Sequence, residues 1–210
     1  MLASGNIEWL GHASFRITFD DKVIYIDPWE IKNPKPADII FVTHSHFDHF
    51  SLQDIEKISK EGTYVVGPED IRDKIPSDCE YICVKPGEEN EVLGIKFQAV
   101  PAYNINKQFH PRSNNWVGYI IYLGDSKIYH LGDTDLIPEM EGLQPDIALL
   151  PIGGTYTMNA KEASQAARIM KATKVIPMHY GKIVGSEQDL KIFKSNLPSE
   201  IELITLPVSE

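Results

Sequence analysis

Residues 38–49 of this 210-residue chain read DIIFVTHSHFDH. The first half, residues 38–43, has apolar residues side by side rather than alternating, which predicts a strand that is covered on both faces. The second half holds three imidazoles and one carboxylate: His44, His46, Asp48 and His49. Imidazole nitrogen and carboxylate oxygen are ligands of zinc and similar divalent ions. The stretch therefore predicts a metal site directly after a buried strand.

The spacing within this motif indicates how the ligands divide. His44 and His46 are two residues apart, so an extended backbone points both side chains to one side. Asp48 and His49 follow after the chain leaves the strand, so they can turn toward a second centre. The alternative is a solvent-exposed loop that is rich in histidine by chance, and the motifs further along the chain favour the metal site.

Three further motifs each follow an apolar strand. Gly132-Asp133-Thr134-Asp135 follows the strand that is predicted to end at Leu131, PIGG at 151–154 follows residues 147–150, and His179-Tyr180-Gly181 follows residues 175–178. Binding sites of α/β sheets lie beyond the carboxyl ends of strands. Four such strand ends therefore predict one shared site at a sheet edge.

Strands and helices are predicted throughout the chain without a linker or repeat. Helices are predicted to start at Ser51, Asn159 and Ser186, because each has an acidic residue three positions later, as in a capping box. The first of these helices is predicted to end at Gly62. A further helix is predicted over residues 68–74, and strands over 92–100 and 201–206. The pattern predicts one layered α/β domain over residues 1–210.

The charge of the chain bears on its partners. It has 30 acidic and 20 basic residues, with a net charge of −10 and a pI near 5.2. A long nucleic acid is repelled by that average field, so we expect no extended nucleic-acid binding. A small phosphate-bearing substrate stays open, because bound metal ions reverse the local potential.

The compartment is expected to be the cytoplasm. No apolar run approaches the roughly 20 residues that span a bilayer, and no signal peptide is recognisable, so we expect a soluble protein without a membrane partner. Cys79 and Cys83 are too far apart along one strand for a disulfide, which fits a reducing compartment. The oligomeric state is left open by the sequence.

Four motifs in this order resemble the metallo-β-lactamase superfamily, and more narrowly its small metal-dependent hydrolases: HSHFDH, GDTD, PIGGTYTM and IPMHYG. The opening WLGHASFRI, residues 9–17, resembles the same group. The resemblance covers nearly the whole chain and implies a four-layer αββα sandwich with a dinuclear site at one edge of the sheets. It implies that His44 and His46 bind a first metal ion, that Asp48, His49 and His179 bind a second, and that Asp133 bridges both. Zinc is the expected metal, with manganese and iron as alternatives.

One departure from the family pattern is visible. The family usually supplies a third histidine to the first metal after the strand that here ends near Val100, where this chain has Pro101-Ala102-Tyr103-Asn104. We expect His110, in the loop of residues 104–115, to take that position. The alternative is that His110 is a surface histidine and that Tyr103, water or nothing completes the first site.

The expected activity is hydrolysis of a small ester, lactone or phosphodiester by water that two divalent ions about 3.5–4 Å apart activate. Asp48 and Asp133 are the expected catalytic carboxylates, and Asp48 could also orient the water. Lys107, Arg112 and Lys182 lie near the motifs and are expected as substrate contacts, with a plain solvated charge as the alternative. His12 is expected near the metals, where it supports a ligand or contacts the substrate, with a structural hydrogen bond as the alternative. A fold does not choose among substrates.

Two other function classes compete with hydrolysis. A non-catalytic metal-binding module would use the same ligands without turnover. A diiron redox protein would resemble the motif too, but such relatives have Glu where this chain has Ser45, and they carry a flavin domain. His130, inside a predicted strand, is interpreted as a buried core histidine.

Overall fold

A computed structural model describes residues 6–209 as two β-sheets with helices on their outer sides. The first sheet contains, in spatial order, β1 (Ile7–Gly11), β2 (Ser14–Phe19), β3 (Lys22–Ile26), β4 (Ile39–Phe41), β5 (Tyr64–Gly67) and β6 (Glu80–Cys83). The strands β1 to β3 pair antiparallel and β3 to β6 pair parallel. The carboxyl ends of β4 and its parallel neighbours therefore share one edge.

The second sheet has the same mixed plan. It contains β7 (Glu89–Val92), β8 (Ile95–Pro101), β9 (Val117–Leu123), β10 (Ser126–His130), β11 (Ile147–Pro151), β12 (Lys174–Met178) and β13 (Glu202–Leu203). The strands β7 to β10 are antiparallel, and β10 to β13 are parallel. Three of the predicted strand-end motifs thus follow the adjacent parallel strands β10, β11 and β12.

Helices cover the outer faces of both sheets. They are α1 (Leu52–Ile58), α2 (Ala160–Met170) and α3 (Glu187–Asn196), with 3-10 helices at Glu69–Lys74, Arg112–Asn114 and Pro138–Met140. Helix α1 buries Ile55 and Ile58 against Tyr25 and Ile40 of the first sheet. Helix α2 buries a face of small residues, mainly alanine, in the core of the second sheet.

The two sheets pack against each other through large side chains. The ring of Phe41 in β4 lies 5.0 Å from that of Phe97 in β8 and 4.9 Å from that of Tyr119 in β9. All three side chains are fully buried or nearly so. The layer order is therefore helix, sheet, sheet, helix, which confirms the predicted αββα sandwich.

Some predicted boundaries were wrong. Helix α1 ends at Ile58 rather than near Gly62, because both the amide and the hydroxyl of Ser59 bind the carbonyl of Ile55 and the backbone turns extended there. The strand predicted over residues 92–100 is two strands, β7 and β8, joined by a tight turn in which Leu93 and Gly94 both have positive φ. The segment after Pro68 is a 3-10 helix. The last strand is only Glu202–Leu203, and β6 was not predicted.

Two further features concern the cysteines and the length of the helices. Cys79 and Cys83 are both free, which agrees with the prediction that they form no disulfide. Among residues 6–209, no helix combines the length and the apolar character needed to cross a membrane.

Candidate metal centre

The predicted motifs meet at one edge, between the two sheets. The HSHFDH segment follows β4, Asp133 follows β10, and His179 follows β12. The carbonyl of Thr43 accepts a hydrogen bond from the amide of Val117, which joins the sheets next to the motif. Gly132 has a φ of +63°, and a Cβ there would lie 2.9 Å from the carbonyl oxygen of Val117. A glycine is therefore required for Asp133 to approach the histidine segment this closely.

Metal-ligand types converge in three overlapping groups, within each of which one ligand atom per residue lies within 4.8 Å of the others. The groups are His44, His46 and His110; His44, His49 and Asp133; and His12, Asp48, His49 and His179. All seven residues that were predicted as ligands from the sequence are present. His12, which was expected near the metals but not as a ligand, belongs to the third group.

Asp133 lies between the histidine groups. Its Oδ2 is 3.0 Å from Nε2 of His179 and 3.3 Å from Nε2 of His110, and its Oδ1 is 3.3 Å from Nε2 of His49. Burial raises the pKa of Asp133, but the charges of His179 and His49 outweigh it and hold this pKa well below its usual value. The carboxylate is thus ionised and faces His110 of the first group as well as His49 and His179 of the third.

Several polar atoms of the cluster are buried without a hydrogen-bond partner: Nδ1 of His12, Nε2 of His49, Nε2 of His110, Oδ1 of Asp133, and both ring nitrogens of His179. An unsatisfied buried polar group costs about 1–3 kcal/mol. Coordination of cations would explain why so many buried donor and acceptor atoms at one place lack a hydrogen-bond partner. The nitrogen and oxygen donors present fit zinc and related divalent ions.

The pKa values of the histidines indicate which are neutral in the metal-free protein. Burial lowers the pKa of His44 well below its usual value, and burial also lowers that of His46. Burial acts in the same direction on His49, but the carboxylates of Asp133 and Asp27 raise its pKa well above the usual value. Neutral imidazole is the form that binds a metal ion.

His49 is oriented by Asp27, a residue that the sequence analysis missed. The fully buried carboxylate of Asp27 lies 2.7 Å from Nδ1 of His49 and accepts hydrogen bonds from the amide and hydroxyl of Thr43, each at 2.7 Å. With Nδ1 of His49 donating to Asp27, Nε2 is left to face Asp133. Asp27 follows β3 at the same sheet edge, so its position at a strand end is the sequence signal that points to it.

The hydroxyl of Thr43 continues this network to His44. Because Thr43 Oγ1 donates to Asp27, it accepts from Nδ1 of His44, 2.9 Å away. Nε2 of His44 is then an acceptor and lies 3.1 Å from Nδ1 of His46. These two nitrogens converge, as two ligands of one ion would.

His110 reaches the first group from the loop after β8. Its side chain is 1% exposed, so it is not the surface histidine of the alternative expectation. Its ring centroid lies 5.0 Å from those of both His44 and His46. Asn104 holds it, since Oδ1 of Asn104 accepts the amide of His110 at 3.0 Å and lies 3.1 Å from its Nδ1.

Trp116 packs against the three histidines of the first group. Its ring centroid lies 4.9 Å from that of His44, 4.8 Å from that of His46 and 5.6 Å from that of His110. Its Nε1 donates to Asp70 at 2.9 Å, and the same carboxylate oxygen accepts from Ser45. The sequence carried no signal for this support, because it depends on residues that are distant along the chain.

His12 lies on the buried side of the group that it forms with Asp48, His49 and His179. Its Nε2 lies 2.9 Å from Oδ2 of Asp48, and its carbonyl accepts the amide of His179. Burial lowers the pKa of His12 to about 4. Burial raises the pKa of Asp48, but the hydrogen bond from His12 and nearby His49 bring it down to about 2. His12 therefore supports Asp48 and does not line the cleft above the site.

The three predicted substrate-binding cations are all paired with carboxylates. Lys107 binds Asp135 and the carbonyl of Thr157, Arg112 binds Glu139 at 2.9 Å, and Lys182 binds Glu30. None of the three lines the cleft at the metal centre, which has a volume of about 210 Å³. The geometry does not support the expected substrate contacts for these cations.

Comparison with known proteins finds relatives over most of the chain. Residues 6–179 match the family model of the Beta-lactamase superfamily domain. The chain is 36% identical to a UPF0173 metal-dependent hydrolase of Thermococcus onnurineus, over 97% of both chains. It resembles the crystal structure of a protein from Parabacteroides distasonis that is described as a metal-dependent hydrolase, with a TM-score of 0.86 and 30% identity. The match covers 97% of this chain and 93% of that one. A metallo hydrolase of Ignicoccus hospitalis shares the fold at 23% identity, with a TM-score of 0.77 over 97% and 95% of the chains.

Proposed function

Since this chain belongs to the metallo-β-lactamase superfamily and is a metal-dependent hydrolase, we propose that it holds two zinc ions and hydrolyses a small ester, lactone or phosphodiester. The observation that carries this proposal is the position of Asp133, whose carboxylate faces His110, His49 and His179 at 3.0–3.3 Å. A carboxylate that faces two sets of ligand nitrogens would serve both ions of a two-metal site.

The ligand sets follow from the groups around Asp133. His44, His46 and His110 would hold the first ion, and Asp48, His49 and His179 the second, with Asp133 common to both. The set is rich in imidazole, which suits zinc and also admits iron, whereas manganese prefers oxygen donors. When bound, the ions supply Lewis acidity toward the substrate and lower the pKa of the attacking water.

The chain's own residues prepare this chemistry. Asp48 lines the cleft, and with a pKa of about 2 it is ionised at neutral pH, so it can accept a hydrogen bond from the attacking water and orient it. His12 holds Asp48 in place from the buried side. Asp27 and Asn104 each bind the Nδ1 side of a histidine, so that the Nε2 atoms of His49 and His110 face the centre before any ligand arrives.

Elemental analysis of the purified protein tests the two-ion proposal. We expect about two zinc ions per wild-type chain, about one in His110→Ala, and hydrolysis of an ester or phosphodiester panel that chelation abolishes and zinc restores. His130→Gln is a matched control, because His130 is a buried histidine outside the ligand groups. One ion or fewer in the wild type, or equal content in His110→Ala, would contradict the assignment, and iron in place of zinc would contradict the choice of metal.

We also propose that the chain forms one domain and works in the cytoplasm. One apolar core includes residues of both sheets, and both sheets contribute to the same site. The free thiols of Cys79 and Cys83 support a reducing compartment. Cell fractionation with detection of the protein in the soluble or secreted fraction tests the location.

A further inference from the structure

The cleft above the metal centre has one polar and one apolar side. The polar side consists of four proposed ligands, and the apolar side of Phe47, Phe109, Tyr156 and Ile183. Phe47 is 69% exposed, Phe109 46% and Ile183 40%. Single exposed apolar residues are common on protein surfaces, but a group that converges on one concave site marks a binding surface.

The apolar side is held in place by the same segments that carry the ligands. Phe47 stands between His46 and Asp48, and Phe109 directly precedes His110. The ring of Phe109 meets that of Tyr156 edge to face at 4.7 Å. The ring of Phe47 meets that of Trp29 edge to face at 6.3 Å. An apolar group bound here would therefore lie next to the reacting centre.

The described residues place no cationic side chain in the cleft to stabilise an anionic substrate. No lysine or arginine of residues 6–209 lines it, and the nearby Lys107, Arg112 and Lys182 are each neutralised by a carboxylate. Three buried carboxylates in or beside the ligand groups, those of Asp27, Asp48 and Asp133, would offset three of the four charges of two divalent ions. A phosphodiester keeps its negative charge throughout hydrolysis and is normally stabilised by arginine or lysine as well as by metal ions.

We propose that the substrate is a neutral ester or lactone with a small apolar group, and not a phosphodiester; this inference rests on the proposed function and narrows it. The cleft of about 210 Å³ is smaller than the roughly 300–1,000 Å³ of pockets for drug-sized ligands, so the apolar group has only a few carbon atoms. Hydrolysis consumes one water: its oxygen bonds to the acyl carbon, the acyl C–O bond breaks, and an acid and an alcohol form, one water proton going to the alcohol oxygen.

A series of p-nitrophenyl esters with the zinc-loaded protein tests the proposal. We expect kcat/KM to rise about tenfold from acetate to butyrate, because each buried methylene contributes about a three- to fourfold gain. For each substrate, the rate with the protein is divided by the rate in zinc-containing buffer alone. This acceleration should be smaller for bis(p-nitrophenyl) phosphate than for the butyrate ester. No dependence on acyl length, or a larger acceleration for the phosphodiester, would overturn the proposal.

Variants of the cleft test whether its apolar side causes the preference for the longer acyl group. Phe109→Ala and Ile183→Ala should each lower the butyrate-to-acetate ratio by about threefold or more, with zinc content measured in parallel. Tyr122→Ala is the matched control, since Tyr122 is an aromatic residue that is 39% exposed on β9 and does not line this cleft. A ratio that stays unchanged in both cleft variants, or falls equally in Tyr122→Ala, would count against the assignment.

Binding of a ligand that cannot be hydrolysed separates the two proposals. Calorimetric titration with butyrophenone, a neutral ketone, is expected to show binding to both zinc-loaded and metal-free wild type, and about tenfold weaker binding to Phe109→Ala. If no ester is hydrolysed but this pattern holds, the hydrolytic function proposed above fails while the preference of the cleft stands. If esters are hydrolysed but the ketone binds wild type and Phe109→Ala equally, or binds neither, the hydrolytic function stands and the apolar preference fails.

Discussion

The side-chain oxygen of Asn104 lies 3.0 Å from the backbone nitrogen of His110 and 3.1 Å from its Nδ1. The backbone amide of Asn104 in turn donates to the backbone carbonyl of His110 at 2.7 Å. Asn104 belongs to the segment in which the family resemblance led us to expect a third histidine for the first metal site. This chain has no histidine there, and Asn104 instead holds His110, which lies six residues further along the chain.

Asn104→Ala should weaken zinc binding at the first group about 10- to 100-fold, because supporting hydrogen bonds fix the orientation of a ligand. The substitution also removes the side-chain nitrogen Nδ2, which donates to Asp135 and to the carbonyl of Tyr156 and so anchors the loop. Competition with a chromophoric chelator measures the affinity. Asn114→Ala, an exposed asparagine of the same loop, is the control and should bind zinc like the wild type. Equal affinities for both variants would show that the loop holds His110 without Asn104.

Asp70→Ala should weaken zinc binding at the first group about tenfold, because Asp70 anchors both Trp116 and Ser45. Asp70 is exposed, so the free energy of unfolding should change by less than about 1 kcal/mol. Chelator competition and denaturant unfolding measure the two effects separately. Asp73→Ala, an exposed aspartate of the same 3-10 helix, should change neither. A loss of stability without a loss of zinc affinity would assign Asp70 a structural role only.

Asp27→Ala should destabilise the metal-free protein by about 3 kcal/mol, because it leaves the amide of Thr43 and Nδ1 of His49 without a partner in a fully buried place. It should also reduce zinc content, since His49 loses the hydrogen bond that sets its orientation. Urea unfolding and elemental analysis measure these outcomes. Asp125→Ala, in an exposed turn, is the control. Full zinc content in Asp27→Ala would contradict the role assigned to the Asp27–His49 pair.

His130 should make stability fall as the pH falls below about 6.5. Its Nε2 lies 2.9 Å from the carbonyl of Ala13, and its Nδ1 accepts the amide of Gly132, so the ring is neutral in the folded state. Burial lowers the pKa of His130 from 6.5. The unfolded chain therefore binds more protons than the folded chain between its own pKa of about 6.5 and the lower folded value, and stability decreases across that window.

Urea unfolding of metal-free wild type and His130→Gln at pH 7.5 and 5.5 measures this contribution. Other buried histidines also titrate there, so the difference between the two proteins is the informative quantity. We expect the wild type to lose more stability than the variant on acidification. The same loss in both would mean that His130 does not contribute to the pH dependence.

The local parts of the candidate metal centre were predictable because their pattern is short-range. His44, His46, Asp48 and His49 lie within six residues, and their chemistry is recognisable without a fold. Asp133 and His179 were predictable because each follows a buried strand, and parallel strands bring their carboxyl ends to one edge. The capping boxes at Asn159 and Ser186 are present as predicted, since they too depend on residues three positions apart.

Edge strands were harder to predict. Residues Glu89–Val92 of β7 are mostly polar and exposed, because this strand lies at the edge of the second sheet and only Val92 is buried. A polar edge strand lacks the apolar alternation from which strands are recognised. Its pairing with β8 is a consequence of the tight turn at Leu93 and Gly94.

The sequence by itself determined which residue types are available as candidate ligands, a layered α/β domain, and the strand ends from which most of these candidates project, while the αββα order was implied by the family resemblance. Only the tertiary structure decided that Asp27 orients His49, that Asn104 holds His110, and that Trp116 packs against three histidines. It also decided that Phe47 and Phe109 share one cleft while the nearby cations are paired elsewhere. The physical reason is range: periodicity and capping act between neighbours in the chain, whereas these contacts join residues that come together only when two sheets pack face to face.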